Sequence, residues 1–150
     1  MVLPKALDQL EWYGRGPHES YADRQTSALV GIYKSTVTEQ FFPYARPQET
    51  GNHTEVRWVK VTNAEGKGLQ FIGDEHINFN ALHFTTDDLD PGMEKGQTHA
   101  GSLKERDAVY LNIDHKQMGV GGNNSWGALP LEKYRLTYKD YSYSFWIKPF

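Results

Sequence analysis

From Tyr141 to Lys148 the chain alternates. Tyr141, Tyr143, Phe145 and Ile147 are apolar, and Ser142, Ser144 and Lys148 stand between them. A period of two is the mark of a strand with one buried face, because successive side chains point to opposite sides of a sheet. Trp146 breaks the polar side, which implies local cover for that face. Tyr134 to Tyr138 reads as the preceding strand, with a turn at Lys139-Asp140. Similar short runs recur upstream. Residues 1–13 read as an entering strand. Ala28 to Tyr33 is continuously apolar, as a strand covered on both faces would be. Thr54–Thr62 and Leu69–Gly73 flank a glycine-containing turn and read as a hairpin. Ile77–Phe84 and Val109–Asp114 add two more strands. The residues rich in these runs are Tyr, Phe, Trp, Val and Thr, which fit a pleated, half-buried surface. Helical periodicity is scarce, and an all-β domain follows. One short helix is expected at Thr85-Thr86-Asp87-Asp88-Leu89, from a Thr cap and acids in the first turn. Pro91-Gly92 should stop it within a turn or two.

A length of 150 residues fits one domain with a real core. The formal charge of -3 is modest and no basic run stands out, so nucleic acid is not an expected partner. Cysteine is absent, which excludes disulfides. No apolar run approaches the ~18 residues of a membrane span, and no secretory leader is visible.

Three places carry polar residues that invite a chemical reading. Gly14 to Arg24 holds His18, Glu19, Asp23 and Arg24 in a turn. A hydrogen-bonded corner, with Arg24 and a carboxylate satisfying loop backbone and each other, accounts for them best. Asp87-Asp88-Leu89-Asp90 is acidic, but a helix start explains it more simply than calcium does. Six histidines (His18, His53, His76, His83, His99 and His115) form no metal-binding spacing. Thr38 to Asn52 is an irregular connection pinned by Phe41, Phe42 and Tyr44, and residues 92–107 form a polar surface connection. The remaining feature is Met118 to Gly127, in which four of ten residues are glycine. It leaves the Val109–Asp114 strand and carries a single tryptophan, Trp126. Such a loop can present an aromatic side chain from a rigid scaffold, or fold it back as a core plug.

The same residues carry a resemblance. Leu111-Asn112-Ile113-Asp114, Met118-Gly119-Val120-Gly121-Gly122 and Asn124-Ser125-Trp126 resemble the C-terminal signature of glycoside hydrolase family 2 β-galactosidases. Far upstream, Trp12-Tyr13-Gly14-Arg15-Gly16-Pro17-His18-Glu19-Ser20-Tyr21-Ala22-Asp23-Arg24 matches a second motif of that family. Phe42-Pro43-Tyr44, Pro47-Gln48-Glu49-Thr50-Gly51-Asn52 and Glu55-Val56-Arg57-Trp58 lie between them in the family's order. The resemblance implies a β-supersandwich of the galactose mutarotase-like type. Residues 1–150 would form about the C-terminal half of it, cut from a longer domain.

In that family both catalytic glutamates and the Mg²⁺ belong to a (β/α)8 barrel, which needs about 250 residues. No catalytic residue, metal ligand or cofactor is therefore expected in this chain. The resemblance assigns Trp126 to the aglycone subsite, where its indole face would pack on the C–H face of the leaving sugar. Asn123 and Asn124 would hold the loop or contact sugar. The family more often has acidic residues there. Expected partners are a galactoside and the barrel of a parent chain, with self-association if apolar strands such as Leu29–Tyr33 lose their cover. Two rival readings are an aldose mutarotase-like epimerase, using a His such as His76 or His83 with a Glu, and a stand-alone carbohydrate-binding module.

Overall fold

A computed structural model describes residues 1–90, 92, 98–124 and 127–150. The alternating runs become strands β1 (Val2–Pro4), β2 (Gln9–Gly16), β3 (Leu29–Thr36), β4 (His53–Thr62), β5 (Gly68–Leu82), β6 (Ala108–Asp114) and β7 (Phe145–Pro149). They form one antiparallel sheet in the order β1-β6-β5-β4-β2-β3, with β7 paired to β5. β5 is long enough to take two partners along one edge: Leu69–Gly73 pair with β7 and Asn78–Leu82 with β6. The only α-helix among the described residues is α1 (Thr86–Leu89). The Thr85 hydroxyl accepts from the Asp88 N–H, and the Asp88 carboxylate accepts from the Thr85 N–H, a complete capping box.

One face of the sheet makes the core. Leu10 and Trp12 of β2, Val59 and Val61 of β4, Phe71, Ile77 and Phe79 of β5, and Val109 and Leu111 of β6 are all buried there. Trp12 is its centre, with ring centroids of His53, Tyr33 and Phe79 at 4.4, 5.5 and 5.8 Å. Its indole N–H donates to the Arg15 carbonyl at 2.9 Å, so burial of the ring leaves no orphan donor. A smaller cluster, Leu82, Phe84 and Leu89, docks α1 below the end of β5.

The opposite face carries a transverse apolar row. Tyr13 of β2 stands opposite Ile32 of β3 and Trp58 of β4; Trp58 stands opposite Ile72 of β5, and Ile72 opposite Trp146 of β7. Directly opposed residues share a face, so these side chains form a continuous band across strands ~4.8 Å apart.

Several expected elements differ. Leu29–Tyr33 is not covered on both faces: β3 is the sheet's edge, and Leu29 and Ile32 are 70% and 62% exposed. The face bearing Trp146 is likewise open, with Trp146 69% exposed. Residues 1–13 split into β1 and β2 around a turn. The strands expected at Leu69–Gly73 and Ile77–Phe84 are one continuous strand. The last hairpin does not form. Tyr134 ends a 3-10 turn (Glu132–Tyr134), and the strand within the alternating tail, β7, begins only at Phe145 and pairs with β5 instead. Tyr141 and Tyr143 spend their hydroxyls on the carbonyls of Thr137 and Ile113.

Candidate functional site

The corner after β2 is built around Glu19. This carboxylate accepts from the Arg24 guanidinium at 2.7 Å, the Gly51 N–H at 2.8 Å, the Thr50 hydroxyl at 3.2 Å and the Tyr44 hydroxyl. Burial alone would raise its pKa. The Tyr44 and Gly51 hydrogen bonds and the Arg24 charge outweigh burial and hold it below the ordinary carboxylate value. Glu19 is therefore a structural anion that ties the corner to the 41–51 connection, and Arg24 is its counter-charge, as the sequence pattern implies.

The chain from Tyr21 to Arg24 is a tight turn closed by reciprocal backbone bonds, Tyr21 N–H to Arg24 O at 3.0 Å and Arg24 N–H to Tyr21 O at 2.9 Å. Asp23 projects from this turn onto the glycine-rich loop. Its Oδ1 accepts from the Val120 N–H at 3.1 Å and its Oδ2 from the Gly121 N–H at 2.7 Å. The Gly119 N–H donates to the Tyr134 carbonyl at 2.8 Å. Glycine is needed at this root. A Cβ at Gly119 would lie 2.5 Å from Asp23 Oδ2, and one at Gly122 would lie 2.7 Å from the Ala128 carbonyl. The two sequence motifs, separated by nearly a hundred residues, thus meet in space. Asp23 is the residue that joins them, and nothing in its sequence position announces that partner.

The root of the loop separates two open clefts. One, of about 450 Å³, is lined by Glu19, Tyr21, Arg24, Tyr44, Arg46 and Val120, among others. The second, of about 530 Å³, lies between Asp23, Gly121, Asn123 and the Leu129–Leu131 segment. Asn123 and Asn124 are exposed at the loop's tip, and the Asn124 amide donates to the Asn123 side-chain oxygen at 3.3 Å. Trp126 lies outside the described residues, with Ser125.

Glu49 lies on the wall of the first cleft. Burial pushes its carboxyl up to about 6, with the charges of Asp114 and Glu19 adding to the shift, while bonds from Tyr21 and Asn80 oppose it. The Tyr21 hydroxyl reaches it at 3.3 Å. Glu49 falls in the Pro47–Asn52 motif, but that motif gives no sign of its raised pKa, since the groups that set it come from three distant segments, at 19–21, 80 and 114. The histidines named for an epimerase do not converge. His76 is exposed on β5, whereas His83 is buried with Nδ1 at the Ala108 carbonyl and Nε2 at Asp8. Among the described residues, no group of three His, Asp or Glu side chains is placed to hold a metal ion.

Fold and site together define an all-β domain that grips one glycine-rich loop against a rigid polar corner. The chain belongs to the β-galactosidase small-chain family: the family model described as beta galactosidase small chain matches residues 1–147. It is 42% identical over 149 residues to a β-galactosidase of Priestia megaterium, covering 99% of this chain and 14% of that protein. A β-galactosidase of Halalkalibacterium halodurans is 38% identical over 135 residues, covering 89% and 13%, and one of Streptococcus thermophilus is 36% identical over 150 residues, covering 99% and 14%. The chain thus spans about one-seventh of the length of the curated relatives it matches.

Proposed function

We propose that this chain is an accessory domain of a β-galactosidase that hydrolyses terminal β-D-galactosides. The acid/base and nucleophile that a retaining glycosidase requires would lie in a barrel elsewhere in the parent chain, together with the Mg²⁺ that this resemblance implies. The domain's own part is to deliver Trp126 to the aglycone subsite, with Asn123 and Asn124 beside it, and by itself it hydrolyses nothing. The observation that carries this reading is the grip on the loop root. The two bonds from the Val120 and Gly121 N–H groups to Asp23 hold the loop by its backbone and leave its side chains available for presentation. The commitment of Glu19 to Arg24, Tyr44 and Gly51 supports it too, since the corner's most conspicuous carboxylate is held as a structural anion.

The test is Trp126→Ala in the full-length parent. Loss of one stacked aromatic is worth roughly 1–3 kcal/mol, or about 5- to 150-fold in affinity. The loss should appear in the KM for lactose and in transfer to acceptor sugars. Inhibition by galactose, on the other side of the scissile bond, should change little. Unchanged lactose binding in a folded Trp126→Ala parent returns Trp126 to the role of a core plug.

A further inference from the structure

We infer that Asp23 is the positioning residue of the aglycone subsite, the group that fixes the stance of the loop carrying Trp126; this rests on the loop reading above. Its carboxylate receives two successive N–H groups, of Val120 and Gly121, one on each oxygen. A bidentate acceptor of this kind fixes both the position and the rotation of the peptide plane between them. Charge on the acceptor makes such bonds shorter and stronger than neutral ones. The support behind Asp23 is equally firm. It sits in the closed Tyr21–Arg24 turn, and Arg24 is pinned to Glu19, which is itself bonded to the 44–51 connection. The loop is shaped to accept the carboxylate, since any side chain at Gly119 or Gly121 would strike it, at 2.5 and 2.9 Å for a Cβ. Tyr134 closes the root from the other side through its carbonyl. Four residues separate Gly121 from Trp126, and at up to ~3.5 Å of reach per residue the fixed root bounds how far that ring can stand from it.

Asp23→Asn keeps the size of the side chain but replaces one acceptor by an NH₂ group that faces a backbone N–H. Asp23→Ala removes both acceptors. Amide hydrogen exchange measures the clamp without reference to activity: the Val120 and Gly121 amides should exchange at least several-fold faster in Asp23→Asn, and unchanged exchange at both overturns the clamp. Kinetics in the full-length parent measure the consequence. Losing the charge-assisted bonds should raise the KM for lactose roughly three- to tenfold. The kcat on an aryl galactoside and inhibition by galactose should hold near the parent's values, a split that general loss of folding would not give. The Asp23→Asn/Trp126→Ala double variant should be no worse on lactose than Trp126→Ala alone, because Asp23 acts only through that ring. Additive losses, or a silent Asp23→Asn beside an effective Trp126→Ala, overturn the inference. A silent Trp126→Ala with fast exchange in Asp23→Asn instead overturns the proposed subsite and leaves the clamp standing as a fold feature.

Discussion

Replacing Glu49 by Gln is expected to make the protein more sensitive to acid. Two groups of opposite sign, His53 buried and Glu49 half-buried, titrate in overlapping ranges. His53 is fully buried between Trp12 and Phe79, with Nδ1 at the Arg15 carbonyl and Nε2 at Gln40. Burial pushes its pKa from 6.5 down to about 4, outweighing the Arg15 carbonyl and the charge of Glu19, which favour a charged ring. Between those values the unfolded chain binds the extra proton, so stability falls as pH is lowered. Across the window that loss is about 3 kcal/mol, at about 1.4 kcal/mol per unit. Glu49 works the other way. Burial raises it from 4.5 to about 6, so between those values the folded chain holds the extra proton and stability rises as pH is lowered, by about 2 kcal/mol. From pH 6 to 4.5 the two slopes cancel. Glu49→Gln removes the compensating slope. Between pH 6.5 and 4 the variant should therefore lose about 2 kcal/mol more than the native chain. Urea midpoints taken at half-unit steps of pH, with the m-value monitored, measure this difference. Parallel profiles for the two proteins would refute the burial argument for Glu49, and a flat profile in the variant would refute it for His53.

Two further outcomes follow from the sheet. The apolar band Ile32–Tyr13–Trp58–Ile72–Trp146 and the edge of β3 leave the isolated chain open to pairing, so sedimentation velocity should show concentration-dependent association, weakened by Trp146→Lys; a monomer at all concentrations contradicts it. Gly14→Ala would set a Cβ 2.9 Å from Val56 Cα and 2.6 Å from its Cγ2, where β2 meets β4, and should cost about 1–3 kcal/mol in thermal or urea unfolding.

What the sequence conveyed, and what it did not, has a consistent physical basis. β4 and β6 are readable because their alternation is driven by one buried face, and α1 because its cap is local, within three residues. The joining of Leu69–Gly73 to Ile77–Phe84 is hidden by Asp74, Glu75 and His76, which break the apolar pattern because the strand is exposed there. Alternation in Tyr141–Ile147 indicates a face but names no partner. The vacant edge of β5 beside Leu69–Gly73, rather than Tyr134–Tyr138, receives the strand. An apolar run such as Leu29–Tyr33 reads the same whether its cover is present or absent. The glycine loop and the corner were each visible as motifs. Their meeting at Asp23 was not, because a contact between residues 23 and 121 has no local signature.

The most direct test of the central claim is a structure of the full-length parent, with its acid/base glutamate disabled, holding lactose. The proposed role of Trp126 requires its indole face within about 4 Å of the C–H face of the non-galactose sugar, with the loop still clamped by Asp23. The contradicting result is an ordered lactose whose leaving sugar meets other residues while Trp126 is packed inside its own domain.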